Sequence, residues 1–228
     1  MNFATRLREI NSAMAAACRD AGRASEEVRL IAVSKTFPAE LAQGFYDAGQ
    51  RLFGENKVQE LKAKSAILPQ DIQWHLIGHL QGNKAAAALE CADWIDSVDS
   101  EHLLRRLDRI AAEKGLRPKI LLEVNLGSEP GKTGASWDDL PALALCAASC
   151  RCCEWRGLMG MAPLADTETV RRCFLRLKTA AAELRKRFSL PLPELSMGMS
   201  GDFPVAIACG ATMVRIGTAL FGEREYPA

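Results

Sequence analysis

No stretch of this 228-residue sequence is both apolar and long enough to cross a bilayer, which takes about 20 residues. The first 23 residues carry charges inside their apolar pattern, so they read as an amphipathic helix and not as a secretory leader. An excess of either charge is missing too. Twenty-nine Lys and Arg face 28 Asp and Glu, a net of +1, which gives no electrostatic case for nucleic acid or a membrane surface. Histidine is scarce, at three residues. Two of them, His75 and His79, are four apart in "IQWHLIGHLQ", but a strand's rise separates them by roughly 13 Å, too far for one metal ion. His102 opens a charged helix and reads as solvated. No G-x-G-x-x-G follows the first strand, which argues against an open dinucleotide-binding sheet. No linker or change of composition divides the chain, so one domain over 1–228 is expected.

Cysteine is plentiful by contrast. Cys146, Cys150, Cys152 and Cys153 crowd into "CAASCRCC". A zinc site would want spaced pairs converging from two segments, and these lie on one helix end and its turn. They read as half-buried thiols of a reducing compartment, and a cytoplasmic location is expected.

What is present is alternation. After an N-terminal helix over about 2–20, strand-like runs appear at 28–36, 51–56, 72–78, 94–100, 118–126, 155–163, 193–200 and 212–222. Each is followed by a helical pattern or a helical turn, as in "PAELAQGFYDAGQ" and "EHLLRRLDRIAAEKG". Eight such βα units within about 28–222 predict an α/β fold, a closed (β/α)8 TIM barrel with an extra N-terminal helix.

In such a barrel, function gathers where strands end. The first strand, "VRLIAVSKTFP", is apolar and then delivers Lys35. If Val33 points into the barrel, period-two geometry sends Lys35 the same way, and Phe37 after it. On the last strand, Met213, Arg215 and Gly217 share one face. Two inward cations, close across the first and last strands, call for an anion or a neutralised amine. A phosphorylated ligand supplies the first and a Schiff base the second. The loops after the last two strands, "SMGMSGDFP" and "RIGTALFG", suit phosphate. Ser200 is expected to cap the helix that follows it, Gly217 to admit close backbone approach, and Thr218 to add a hydroxyl. A phosphate-bearing carbonyl compound held as an imine results, and pyridoxal 5′-phosphate fits that description.

The motifs "IAVSKTFP", "FGENKVQE", "WHLIGHLQGNK", "LEVNLGSEPGKTG", "GLMGMAP" and "LSMGMSGDFPVAIACGATMVRIGTALFG", in that order, resemble the pyridoxal phosphate homeostasis proteins, also called the YggS or PROSC family. The resemblance runs from about residue 28 to 222 and implies a fold-type III barrel like the N-terminal domain of alanine racemase. It implies that Lys35 forms the Schiff base and that Arg215 faces the pyridine nitrogen. It assigns phosphate contacts to Ser196, Ser200, Gly217 and Thr218, and places Asn56 near the ring. Met159 or Met161 becomes an apolar wall, and Lys132 a lysine that receives or passes on the cofactor.

Three functions compete: a carrier that binds, stores and hands over pyridoxal phosphate, a pyridoxal-dependent amino-acid racemase, and a Schiff-base aldolase. A racemase needs a second acid–base group opposite Lys35, supplied in racemases by another domain that is not expected here. The two tyrosines, Tyr46 and Tyr226, fall on the first barrel helix and in the C-terminal tail. Arg215 would also leave the ring nitrogen unprotonated, a poorer electron sink. Phosphate loops with Arg215 suit a ring better than the sugar of an aldolase. The expectation is a non-catalytic monomeric carrier with apo-enzymes as its recipients.

Overall fold

In the computed structural model, which describes residues 2–127 and 133–222, eight parallel strands close on one another in chain order. They are β1 (Arg29–Val33), β2 (Leu52–Glu55), β3 (Gln73–Leu76), β4 (Trp94–Val98), β5 (Lys119–Asn125), β6 (Glu154–Met161), β7 (Glu194–Ser196) and β8 (Met213–Ile216). The ring closes where β1 pairs with β8, Arg29 opposite Met213 through Ala32 opposite Ile216. Around it run α2 (Ala39–Asp47), α3 (Val58–Ser65), α4 (Ala85–Leu89), α5 (Glu101–Lys114), α6 (Leu140–Ser149), α7 (Thr167–Phe188), α8 (Phe203–Ala208) and the short α9 (Thr218–Phe221). The expected barrel is the one observed.

The extra helix, α1 (Phe3–Asp20), starts at Asn2, whose side chain accepts from Thr5 N at 3.0 Å. It lies across the seam of the ring, against α2, α8 and α9. Arg6 donates to the carbonyl of Leu220 at 2.9 Å, and Phe3 meets Phe45 edge-on at 5.1 Å. At the opposite side α5 shows why helices form here. Ser100 caps it, Gly115 ends it in the left-handed region (φ 66), and Leu103, Leu104, Leu107, Ile110 and Ala111 make one buried stripe.

Most of the core lies between strands and helices. A separate cluster, Ile31, Trp94, Leu121, Met159 and Met213, takes one residue from each of five strands and fills the barrel interior. One alternation further along, the interior turns polar: His75, Asp96, Glu123, Ser196 and Arg215, all buried. This step from apolar to charged positions the site.

The eight cysteines are free thiols, and no group of His, Cys, Asp and Glu among the described residues is arranged to hold a metal ion. Burial pushes Cys150 up to about 12, and Cys153 higher still. The turn that carries them is fastened by Asp108, whose carboxylate accepts from the backbone N–H of Arg151, Cys152 and Cys153. No helix among the described residues is long and apolar enough to cross a membrane.

Candidate functional site

The expected residues meet at the C-terminal end of the barrel. A pocket of about 510 Å³ is lined there by Val33, Lys35, Asn56, Ile77, His79, Thr133, Met161, Met199, Ser200, Arg215, Gly217 and Thr218, among others. Its size suits a small cofactor. A larger groove of about 630 Å³ opens at the other end, around Pro69, Trp74, Leu89, Arg117 and Lys119, and contains none of the expected residues.

Lys35 arrives by strand alternation, since Ile31 and Val33 face inward before it. The strand end is then tied down from outside the wall. Ser34 Oγ donates to Glu55 Oε1 at 2.6 Å, and Lys64 of α3 donates to the Ser34 carbonyl at 2.7 Å and to Glu55 Oε1 at 2.6 Å. Burial pushes the Glu55 carboxyl up, against the pull of Lys64. Next, Thr36 adopts φ 68, an uncommon conformation for a β-branched residue, while its N–H donates to Glu60 of α3 at 2.8 Å. That kink overturns one expectation. Phe37 does not follow Lys35 into the barrel, because the reversal at Thr36 sends it outward to stack on Phe221 at 5.1 Å.

Arg215 is the deepest charge of the pocket, 4% exposed. Nη1 donates to Ser196 Oγ at 2.7 Å and Nη2 to the Gly160 carbonyl at 3.1 Å. Burial pulls its guanidinium down from the ordinary value, and the charges of Asp96, Glu123 and Asp202 oppose that pull. Asp96 in turn sits 3.0 and 3.1 Å from His75 Nδ1, and the His75 ring stacks on Trp94 at 5.0 Å. Glu123 accepts from Thr133 Oγ1 at 2.9 Å, and its other oxygen is buried with no hydrogen-bond partner. Burial raises its carboxyl, helped by Asp99 and opposed by Arg215 and His79.

The two loops at the seam hold each other. Gly198 takes φ 94, where a Cβ would come within 2.5 Å of the Ala206 Cβ, and its carbonyl accepts from Arg215 N at 2.9 Å. Ser200 does not cap the helix after it. Asp202 stands at that position and α8 begins at Phe203, so Ser200 is two residues early. Its hydroxyl instead accepts from Ala219 N at 3.4 Å, in the first turn of α9 beside Thr218. On the facing wall, Gly78 lets the end of β3 approach Asn56, since a Cβ there would lie 2.4 Å from the Asn56 carbonyl oxygen.

Of the eight expected site residues, the structure gathers Lys35, Asn56, Ser200, Arg215, Gly217 and Thr218 on one pocket. Ser196 lies one step deeper, against Arg215. Met159 sits in the apolar layer below, and the wall is Met161, on the same face two residues on. Lys132 and Tyr226 lie outside the described residues. Sequence reading gave no role to the Ser34–Glu55–Lys64 clamp, to Asp96 with His75, or to His79, whose only signal was its place at a strand end.

The family model of the alanine racemase N-terminal domain matches residues 11–225. A pyridoxal phosphate homeostasis protein of Aquifex aeolicus is 40% identical, over 99% of this chain and 100% of its own. Another, of Escherichia coli, is 39% identical over 99% and 98%. This chain belongs to the pyridoxal phosphate homeostasis protein family. Among solved structures, PipY of Synechococcus elongatus with PLP bound superposes with a TM-score of 0.86 at 45% identity, covering 96% of this chain and 100% of PipY. Alanine racemase of Bartonella henselae, at 18% identity and a TM-score of 0.68, shares the barrel over 59% of its length. The recognition made on the motifs and the fold expected from it both hold.

Proposed function

We propose that this chain binds pyridoxal 5′-phosphate at the Lys35–Arg215 pocket and acts in its homeostasis, as a carrier and not as an enzyme. One observation carries the reading: a lysine and a buried arginine line a single pocket, with Ser200, Gly217 and Thr218 beside them at the barrel seam. PipY with PLP bound and relatives named for pyridoxal phosphate homeostasis support it.

The residues fit that group. Arg215 offers a fixed cation held by Ser196 and Gly160, and Met161 and Met199 supply apolar walls. Bound there, the cofactor would supply an aldehyde for a lysine amine. Lys35 is the amine that would hold it covalently. Arg215 would meet the ring nitrogen and, being a cation, would keep it unprotonated. Ser200, Gly217 and Thr218 would take the phosphate, while Ser196 fixes the guanidinium. Asn56 orients the ring edge. Handing the cofactor to apo-enzymes, working as a monomer and residing in the cytoplasm belong to the same reading.

Borohydride treatment of the loaded protein, followed by peptide mass analysis, tests it. The label should fall on the peptide containing Lys35. A label elsewhere, or none, would overturn the assignment. Incubation with each common L-amino acid in deuterated water tests the carrier half. Turnover on the order of 1 s⁻¹ would make it an enzyme.

A further inference from the structure

Lys35 and Arg215 occupy the β8–β1 side of the pocket, and the opposite side is built from groups that exchange protons. His79 follows β3 and lines the pocket. Its Nδ1 lies 3.1 Å from Asp99 Oδ2, just past β4. A carboxylate only accepts, so Nδ1 carries the proton and Nε2 keeps its lone pair. The His79 side chain is 49% exposed and the Asp99 side chain 16%, so the ring touches both pocket and water while its orienting partner is sheltered. This is the geometry of a base held by a third group. Thr133 completes that wall and donates to Glu123.

We propose that His79, oriented by Asp99, is the proton-transfer residue of this pocket, serving the exchange of Lys35 for an incoming primary amine. The inference rests on Lys35 holding the cofactor as an imine. The balance is simple. The incoming ammonium gives a proton to His79 Nε2, and its nitrogen bonds to the imine carbon. The two protons left on that nitrogen pass to Lys35 Nζ, the carbon–nitrogen bond to Lys35 breaks, and Nζ takes the third proton back from Nε2 and leaves as an ammonium. No electrons are gained or lost, and no further reactant is needed. An imidazole open to water can also reset its proton between events.

The experiment uses the loaded full-length protein with ethanolamine as the amine, following by borohydride quenching and mass analysis the fraction of protein that still carries the cofactor on Lys35. His79→Ala should slow exchange on the order of 10²-fold, and added free imidazole should restore most of the rate. Asp99→Asn should slow exchange less, and should slow the His79→Ala protein no further. Exchange at the wild-type rate in His79→Ala, or a slowing that imidazole does not relieve, would overturn the proposal. A second reading needs no cofactor. The chain has three histidines, so the His79 ring resonance of the empty protein can be assigned by its loss in His79→Gln. It should shift in Asp99→Asn, and an unmoved resonance would overturn the role given to Asp99. Wild-type protein that takes no borohydride label at Lys35 would sink the functional reading itself. Labelled protein with unimpaired exchange in His79→Ala sinks only this inference.

Discussion

Two arcs of the barrel rim face each other across the pocket, and they are made of different materials. The arc from β7 through β8 to β1 consists of tight backbone turns and two cations. Gly198 accepts from Arg215 N, Ser200 reaches the first turn of α9, and Lys35 is pinned from behind by the Ser34–Glu55–Lys64 clamp. Among its buried side-chain atoms, one oxygen of Glu55 is left without a hydrogen-bond partner. The arc from β3 to β5 consists of imidazoles and carboxyls, and it leaves more buried atoms unmatched: His75 Nε2, Trp94 Nε1 and one oxygen of Glu123. A buried polar atom without a partner costs free energy, so a fold keeps few of them. The lesson is a division of labour: one arc is built to hold a ligand still, and the other retains groups whose protons can move.

Substitutions can break that contrast, and the largest effect belongs to the holding arc. Lys35→Ala should abolish the borohydride-fixable cofactor altogether while the protein stays folded, because Lys35 is only half-buried at a strand end. Mass analysis of the reduced protein checks it.

Arg215→Met comes next. It removes two buried hydrogen bonds from a charged donor, to Ser196 Oγ and the Gly160 carbonyl, each worth about 1.5–3 kcal/mol, and takes away the positive charge that Asp96 and Glu123 feel. A urea melt should show it, and Arg215→Met combined with Asp96→Asn should recover part of the loss. Full additivity of the two would separate the arcs energetically.

Ser196→Ala is milder. It removes one hydrogen bond to a charged group, worth about 1.5–3 kcal/mol. Its effect should vanish in the Arg215→Met background, which a double-mutant cycle reads directly.

The smallest effect sharpens the contrast from the acidic side. The Glu123 carboxyl is raised above its ordinary 4.5 by burial, so the folded protein binds this proton more tightly than the unfolded chain does. Its contribution is therefore fully present below 4.5 and is lost as pH rises through the raised value. Glu123→Gln should flatten that decline in a series of melts across pH. The remainder should trace to Glu55, which burial raises in the same direction.

Much of the holding arc was legible in the sequence. Period-two alternation carried Arg215 to the interior within β8 and Lys35 two residues past the regular end of β1 at Val33. Where regularity fails, so does legibility. The left-handed turn at Thr36 turned Phe37 outward, and nothing in the letters of "SKTFP" announces it. Depth was also hidden. Met159 and Met161 share a face, but only the closed ring shows that one lies in the apolar layer and the other at the mouth. The acidic arc was least legible, since His79 with Asp99 and His75 with Asp96 are pairs made between strands, 20 and 21 residues apart. Their meeting depends on strand register, which periodicity does not fix.

Lys35 and Arg215 stand 180 positions apart, and β7 joins β8 through a single register pair. A ligand fastened to both is a clasp between the beginning and the end of the ring. Its binding energy enters the contacts of greatest sequence separation, the ones that carry the heaviest loop-closure entropy. Saturating ligand should therefore slow the opening of the β8–β1 junction and the peeling of α1 from it more than any motion elsewhere, as hydrogen exchange on Ile31 and Ala32 would register.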